Sequence, residues 1–259
     1  MKMTTYRAIL CLASWLFAVA CAALSTPQDR PLRIFAFGDS TTATRETVGA
    51  VYAQRLPQLL AAEAIDATVW NSGLGGSHSG RRVDNGRHKI DHALDRLNVA
   101  VRAGCPDVVV IQFGINDSWI DSDNEEDASR IPLSEYAWNL REIVLSLQGD
   151  GATTILMTPG LLGSNLAPWR DARLATYADA VQKVAQDTDS PFVDVRAIMG
   201  RMPSVDELLL DGTHPNDVGH MLVAEALTQL IAELERKGEL PRREESAEDF
   251  QRIFEEGRD

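Results

Sequence analysis

The chain has 259 residues, 44% of them hydrophobic, and a formal net charge of −13. This length and composition suffice for one large folded domain, or two small ones, with a substantial core. Because binding a phosphate backbone requires a basic face, the acidic charge and the lack of a long Lys/Arg cluster argue against a nucleic-acid partner.

The N-terminus has the three-part pattern of an export signal. Residues 1–20 combine a short basic region, an apolar stretch too short for a comfortable membrane span, and small residues at Ala18 and Ala20. The sequence therefore predicts an exported protein, located in the periplasm, outside the cell or at the cell envelope. The letters "AVAC" also resemble a lipoprotein box, in which Cys21 would carry a lipid anchor, although Ala18 stands where such boxes favour Leu.

After this segment the pattern divides the chain into three parts. A linker is predicted at 21–31, a single folded domain at 32–237 and a charged tail at 238–259. Cys105 is the cysteine that falls inside the predicted domain, so no internal disulfide is expected there. It is interpreted as a small packed apolar residue, because no His or basic residue adjoins it.

Within the domain, short apolar strands alternate with amphipathic helices. Strands are predicted at 32–38, 67–73, 107–114, 153–159 and 191–195. Helices are predicted at 49–63, 87–103, 134–148, 169–188 and 216–236. Trp70 and Trp138 fall inside these elements and are expected in the core. Strands that are apolar on both faces and alternate with helices predict an α/β fold, a parallel sheet between two helical layers.

Two connections are longer than such a fold requires. Residues 115–132 and 160–169 both follow the carboxyl ends of strands, where open α/β sheets place their ligand crevices. Trp119 and Trp169 lie in these loops. Two interpretations stay open for them, namely aromatic faces for stacking on a sugar ring and hydrophobic anchors for the loops.

The first strand ends in "FGDS", which puts the hydroxyl of Ser40 at the carboxyl edge of the sheet. Taken alone, this serine is more typical of a helix cap than of a nucleophile. Near the C-terminus, "DGTHPN" places Asp211 and His214 three residues apart. At this spacing the carboxylate can accept Nδ1–H of the imidazole and leave Nε2 to take a proton from a serine. Together the two segments predict a nucleophile, Ser40, with His214 as base and Asp211 as its orienting acid.

Acyl transfer also needs N–H donors aimed at the developing oxyanion. Gly76 in "NSGLGG" and Asn116 in "GIND" follow the second and third strands, and with the N–H of Ser40 they are the candidate donors. The glycine-rich run departs from a dinucleotide-binding loop, because His78 stands where the third glycine belongs. His78 is interpreted either as a substrate contact or as an exposed loop residue.

No metal or other cofactor is predicted. Clusters of His, Cys, Asp and Glu with ligand spacing are lacking in the sequence. The acidic run at 121–127 lacks the turn glycine and the distal glutamate of an EF-hand, so a solvated loop is favoured over a calcium site. His220, on the last predicted helix, is interpreted as a packing or solvent-facing residue.

The segments "FGDS", "NSGLGG", "GIND" and "DGTHPN" occur in this order after the expected strands. In them the chain resembles the SGNH, or GDSL-type, hydrolases. The resemblance implies a flavodoxin-like three-layer fold with strand order 2-1-3-4-5, and it implies the same nucleophile, donors, base and acid. Two departures are small: Thr41 follows "GDS" where many members have Leu or Ile, and Gly75 makes the second segment unusually rich in glycine.

The resemblance implies an exported serine esterase that acts on small acyl groups, foremost O-acetyl groups on carbohydrates, with a small-molecule or glycan ester as its partner. One alternative is a lysophospholipase or thioesterase, which would need an apolar acyl channel, whereas the two long loops are polar and acidic. An alternative of another class is a non-catalytic carbohydrate-binding or envelope protein on a hydrolase scaffold. Filled positions at every catalytic site argue against that alternative.

Overall fold

The computed structural model describes residues 30–84, 90–240 and 242, and its five strands form one parallel sheet. The strands are β1 (Leu32–Gly38), β2 (Ala67–Gly73), β3 (Val108–Gln112), β4 (Thr153–Met157) and β5 (Phe192–Val193). Their order is β2-β1-β3-β4-β5. The expected flavodoxin-like order is therefore confirmed. The predicted export signal, Cys21 and most of the linker and tail lie outside the described residues.

Helices cover both faces of the sheet. In the described part of the chain they are α1 (Tyr52–Ala62), α2 (Ala93–Ala100), α3 (Ile115–Ser118), α4 (Leu133–Gly149), α5 (Pro168–Asp187), α6 (Val195–Met199) and α7 (Asp217–Lys237). Alternate residues of β1 enter different cores: Ile34 packs with α1 and α7, and Phe35 with α2, α4 and α5. The predicted three-layer sandwich is confirmed. Among residues 30–84, 90–240 and 242, no helix is long and apolar enough to cross a bilayer.

Both tryptophans expected in the core are exposed, so that prediction is wrong. Trp70 is 41% exposed because β2 is an edge strand that pairs only with β1; its ring stacks on Phe35 at 4.9 Å. Trp138 is 55% exposed because α4 turns its other face, which includes Tyr136 and Leu140, toward the core. Local apolarity predicts a strand or a helix, but it does not reveal which element lies at an edge.

Several boundaries differ from the sequence prediction. The helix expected at 87–103 begins only at Ala93, since residues 90–92 are not helical, and a 3₁₀ turn follows it at Arg102–Gly104. The single-turn helices α3 and α6 follow β3 and β5 directly and were not predicted. Cys105 comes after the 3₁₀ turn and is buried, as its interpretation as a packed apolar residue requires.

The register of the sheet sets where the polar loops meet. Gly38 of β1 pairs with Gly73 of β2 and with Gln112 of β3. Neighbouring backbone segments lie so close here that a Cβ on Gly38 would be 2.6 Å from Gln112 O, and one on Gly73 would be 2.3 Å from Ala43 N. Because these glycines lack a Cβ, the loops that follow three neighbouring strands can begin close together at one edge of the sheet.

Candidate active site

His214 lies between Ser40 and Asp211. Its Nε2 is 3.0 Å from Ser40 Oγ, and its Nδ1 is 2.8 Å from Asp211 Oδ2. Ser40 comes from the turn after β1, and His214 comes from the loop before α7, 174 residues further along the chain. Because the carboxylate accepts the Nδ1 proton, Nε2 faces the serine as an acceptor. The fold thus brings together three residues that the sequence placed in separate segments.

Asp211 is held by hydrogen bonds to both of its oxygens. Its Oδ1 accepts the N–H groups of Thr213 and His214 at 3.0 and 2.9 Å. Partial burial raises the pKa of Asp211, but the hydrogen bonds from His214 and Thr213 outweigh it and hold the pKa below its usual value. The carboxylate is therefore negatively charged at neutral pH.

The start of α7 keeps the imidazole outside the helix. Pro215 follows His214, and Asn216 caps the helix by accepting the N–H groups of Val218 and Gly219 at 2.9 and 3.1 Å. The N–H of Leu210 donates to His214 O at 2.8 Å, which fixes the preceding turn. The side chain of His214 therefore projects from a rigid junction rather than from a mobile loop.

Gly76 and Asn116 lie next to each other. Asn116 Nδ2 donates to the carbonyl of Ser77, the residue after Gly76, at 3.0 Å. The same loop is tied to β1 through the N–H of Leu74, which donates to Gly38 O at 3.1 Å. Within the described part of the chain, the N–H groups of Ser40 and Gly76 donate to no protein acceptor, which leaves both available to a ligand.

His78 does not face the site opening. Its side chain has no exposed surface and stacks on His92, with ring centroids 3.4 Å apart. Its Nδ1 accepts the N–H of Gly80 at 3.1 Å. The structure therefore corrects both interpretations of His78, because the chain after Gly76 turns inward and buries residues 77–80 beneath the loop. His78 is placed to support the glycine loop from below.

Trp119 and Trp169 share one cation. The guanidinium of Arg170 lies 4.4 Å from the centroid of each ring. Arg170 also donates to the carbonyls of Ile120 and Ser122 at 2.9 Å. Trp169 and Arg170 lie in the first turn of α5 and not in the predicted loop, so one face of each indole anchors the first loop to the start of α5, as the anchoring interpretation expects. Stacking on a sugar ring stays a prediction for the remaining surface of the two rings.

Sequence reasoning missed a buried and a partly buried ionisable side chain beside Ser40, those of Asp39 and Arg96. Asp39 is 1% exposed, and its Oδ1 accepts the N–H and hydroxyl of Thr41, both at 2.8 Å. Arg96 donates to Gly38 O at 2.7 Å and lies over the ring of Phe37. Burial raises the pKa of Asp39, and burial lowers the pKa of Arg96 to about 10. The one feature of the sequence that could have pointed to Arg96 is its position, as a cation, on the apolar face of a predicted helix.

His220 is buried on α7, consistent with a packing residue. Its Nδ1 accepts the N–H of Tyr52 at 3.3 Å. Burial, assisted by Arg55 and Arg45 and opposed by Asp217, lowers the pKa of His220 from 6.5 to about 4. The unfolded chain therefore binds a proton at a higher pH than the folded chain does. The stabilising contribution of the neutral ring is complete above pH 6.5 and is lost as the pH falls toward 4.

Replacing His220 with Asn is expected to flatten this acid dependence. The variant keeps a side-chain acceptor but cannot be protonated, so between pH 6.5 and 4 the wild type should lose up to about 3 kcal/mol more of its free energy of unfolding than the variant. Urea unfolding at a series of pH values measures the difference. Parallel curves for the two proteins would contradict the buried neutral imidazole.

Metal ligation is not supported by the arrangement of side chains. In the segments that the structure covers, no group of three or more His, Cys, Asp or Glu side chains is placed to hold a metal ion. The polar atoms around Ser40 are instead an imidazole, a carboxylate and N–H donors. What these groups can do chemically is to activate a hydroxyl and stabilise an oxyanion.

The fold and the site together define a class of protein: flavodoxin-like α/β chains with serine, histidine and aspartate hydrogen-bonded in series at the carboxyl edge of the sheet. Residues 36–222 match the model of the GDSL-like lipase/acylhydrolase family. The chain belongs to this family.

Individual relatives agree with this placement. The chain is 33% identical over 132 residues to an acetylxylan esterase of Geobacillus stearothermophilus, covering 49% of this chain and 59% of that protein. It is 30% identical over 142 residues to a human isoamyl acetate-hydrolyzing esterase 1 homolog, covering 49% of this chain and 56% of that protein. The match thus spans less than two thirds of either relative.

Solved structures extend the similarity over more of the chain. A lipase/acylhydrolase from Enterococcus faecalis superimposes with a TM-score of 0.66 at 27% identity, covering 83% of this chain and all of that one. A catalytic mutant of the Geobacillus esterase, with a serine replaced by alanine, superimposes with a TM-score of 0.63 at 28% identity, covering 77% of this chain and 94% of that one. Other catalytic mutants of that esterase replace an aspartate or a histidine.

Proposed function

We propose that this protein is a serine ester hydrolase with Ser40 as its nucleophile. The observation that carries the proposal is the continuous chain of hydrogen bonds from Ser40 Oγ through His214 to Asp211. Ser40 Oγ attacks the ester carbonyl while His214 Nε2 takes its proton, and Asp211 stabilises the imidazolium. His214 then gives the proton to the leaving alcohol, and water hydrolyses the acyl-enzyme by the same route.

The negative charge that develops on the carbonyl oxygen needs donors. The proposed donors are the N–H groups of Ser40 and Gly76 and the side-chain amide of Asn116. Their support is spatial, since Asn116 is bonded to the residue after Gly76 and both lie at the sheet edge where β1 delivers Ser40. Preorganised donors of this kind contribute about 3 kcal/mol each to lowering the barrier.

The proposed substrate is an ester of a small acyl group, foremost an acetyl ester on a carbohydrate. Both curated relatives carry names of esterases that act on acetate esters. A cavity beside Thr41 and Thr213, the neighbours of Ser40 and His214, has a volume of about 20 Å³. This cavity has room for roughly one water molecule or one methyl group, and we take it as the proposed place for the methyl group of an acetyl ester.

Acyl-chain selectivity tests the proposal directly. We expect the purified protein to release acetate from acetylated xylooligosaccharides, and to hydrolyse p-nitrophenyl acetate with a kcat/KM at least about 100-fold above that for p-nitrophenyl laurate, because the cavity beside Thr41 and Thr213 fits a methyl group and not a long chain. Preference for the laurate ester would instead support the lipid acyl hydrolase. Activity on aryl acetate without any release from the glycan would retain the esterase and remove the carbohydrate substrate.

Export is proposed as well. Its support is the basic, apolar and small-residue pattern of residues 1–20, and Cys21 at its boundary is the proposed alternative point of lipid attachment. The mass of the protein recovered from an exporting host distinguishes cleavage, lipidation and retention of the segment.

A further inference from the structure

The side-chain amide of Asn116 has two ends that differ in chemistry. Its Nδ2 donates hydrogen bonds, whereas its Oδ1 only accepts them and would repel an oxyanion. Asn116 lies on the single-turn helix α3 and is only partly buried. A residue in this position needs partners that select one orientation of the amide.

Two contacts supply that selection. Arg130 Nη1 donates to Asn116 Oδ1 at 3.2 Å, and Asn116 Nδ2 donates to Ser77 O at 3.0 Å. A guanidinium can only donate and a backbone carbonyl can only accept. If the amide were flipped, its NH₂ group would face the N–H groups of Arg130 and its oxygen would face the carbonyl oxygen of Ser77. Neither pair can form a hydrogen bond, so the two partners fix the orientation of the amide. Among the residues that the structure describes, Nδ2 has no acceptor besides Ser77 O, which leaves its second N–H available to a ligand.

We propose that Arg130 is a positioning residue for ester hydrolysis, which acts through Asn116. The proposal rests on the function proposed above. Arg130 holds Oδ1 away from the oxyanion, and its positive charge draws electron density toward Oδ1, which makes the N–H groups of the amide stronger donors. Arg130 itself does not contact the substrate in this role.

The long acidic loop is built to deliver this arginine. Arg130 follows Asn116 by 14 residues, and its Nε and Nη2 both donate to Asp121 Oδ1, at 3.1 and 2.7 Å. The N–H of Arg130 donates to Trp119 O at 2.9 Å, so the loop closes on itself beside α3. The side chain of Arg130 is 14% exposed, which limits its alternative orientations. The excursion from 119 to 130 therefore returns a fixed cation to the amide.

A double-mutant cycle tests this role. The variants are R130M, N116A and their combination, assayed with p-nitrophenyl acetate, with R173M as the matched control. Arg173 also holds the acidic loop, through Ser129 Oγ at 3.0 Å and Glu125 O, but it does not contact Asn116. Thermal unfolding of each variant shows whether it is folded.

R130M should lower kcat about tenfold with KM changed less than about twofold, because a charge-assisted hydrogen bond to the donor group is lost. N116A should lower kcat about 10²–10³-fold. When Asn116 is already replaced by alanine, R130M should lower kcat by no more than about a further twofold, because the amide through which Arg130 acts is absent. R173M should stay within about twofold of the wild type. R130K, which retains a donor, should lose less than R130M, and it replaces R130M in the cycle if that variant does not fold.

Equal effects of R130M with and without Asn116 would overturn the proposal, as would a loss in R173M equal to that in R130M. Either result in a protein whose activity still depends on Ser40 would leave the esterase function intact. Full activity in S40A would instead exclude Ser40 as the nucleophile, and with it the proposed site through which Arg130 acts.

Discussion

Replacing Ser40 with alanine is expected to lower kcat for an acetate ester by about 10⁴–10⁶-fold. The atom removed is the one that lies 3.0 Å from His214 Nε2, and no other hydroxyl is recorded with a hydrogen bond to that nitrogen in the described part of the chain. The residual rate should come from the oxyanion donors, which the substitution leaves in place. The fold should be unaffected, because Ser40 is partly exposed on a turn held by Asp39 and Thr41.

Steady-state kinetics and thermal unfolding of S40A measure both parts of this expectation. T44A is the matched control, since Thr44 is an exposed hydroxyl on the same loop with no hydrogen bond to His214. Because the two residues act as a unit, S40A combined with H214A should be scarcely less active than S40A alone. Wild-type activity in S40A would assign the reaction to another nucleophile. A folded wild type that hydrolyses no ester would favour the non-catalytic binding protein.

The fold and the convergence of Ser40, Gly76 and Asn116 were predictable for one physical reason. Parallel strands joined by helices end at the same edge of the sheet, so residues that follow β1, β2 and β3 meet there. The segment "DGTHPN" comes after α6 and the 3₁₀ turn Asp206–Leu208, so its meeting with Ser40 was predicted from the pairing of residue types and the resemblance to a known family. The remaining contact, between Asp211 and His214, is local, because the two residues are three positions apart in "DGTHPN".

Other contacts were not predictable because they depend on the path of loops. Arg130 reaches Asn116 only because Trp119 and Asp121 close the acidic loop behind it. The burial of His78 depends in the same way on an inward turn after Gly76. Periodicity describes helices and strands, but it carries no information about where an irregular segment returns. The edge position of Trp70 was missed for a related reason, since strand order is a property of the whole sheet.

The two long loops divide the support of the site between them. Residues 160–169 hold the turn that carries the acid, because Asn165 Nδ2 donates to Asp211 O at 3.1 Å and the N–H of Gly163 donates to Gly212 O at 2.7 Å. Residues 115–132 contain Asn116, one of the proposed oxyanion donors, and the Arg130 that orients it. Arg170, in the first turn of α5 directly after the second loop, donates hydrogen bonds to Ile120 O and Ser122 O in the first loop. The base and the oxyanion donors are thus fixed relative to each other by packed structure, which is what preorganisation of a transition-state site requires.

Replacing Asp211 with asparagine should lower kcat about 10⁴-fold, although the change is nearly isosteric. The N–H groups of Thr213 and His214 can only donate, so they keep the asparagine oxygen in the position of Oδ1. The new NH₂ group must then face His214 Nδ1 as a donor. Nδ1 becomes the acceptor, Nε2 carries the proton, and the imidazole can no longer take a proton from Ser40.

The matched control for this variant is D217N. Asp217 also accepts two backbone N–H groups, those of Gly49 and Ala50, but it makes no hydrogen bond to His214. D217N should keep kcat within a few-fold of the wild type, whereas D211N should lose activity in kcat rather than KM, since binding of the ester does not depend on the tautomer. If D211N retained kcat within about tenfold of the wild type, Asp211 would be excluded as the group that sets the tautomer, and His214 would have to be oriented by the backbone alone.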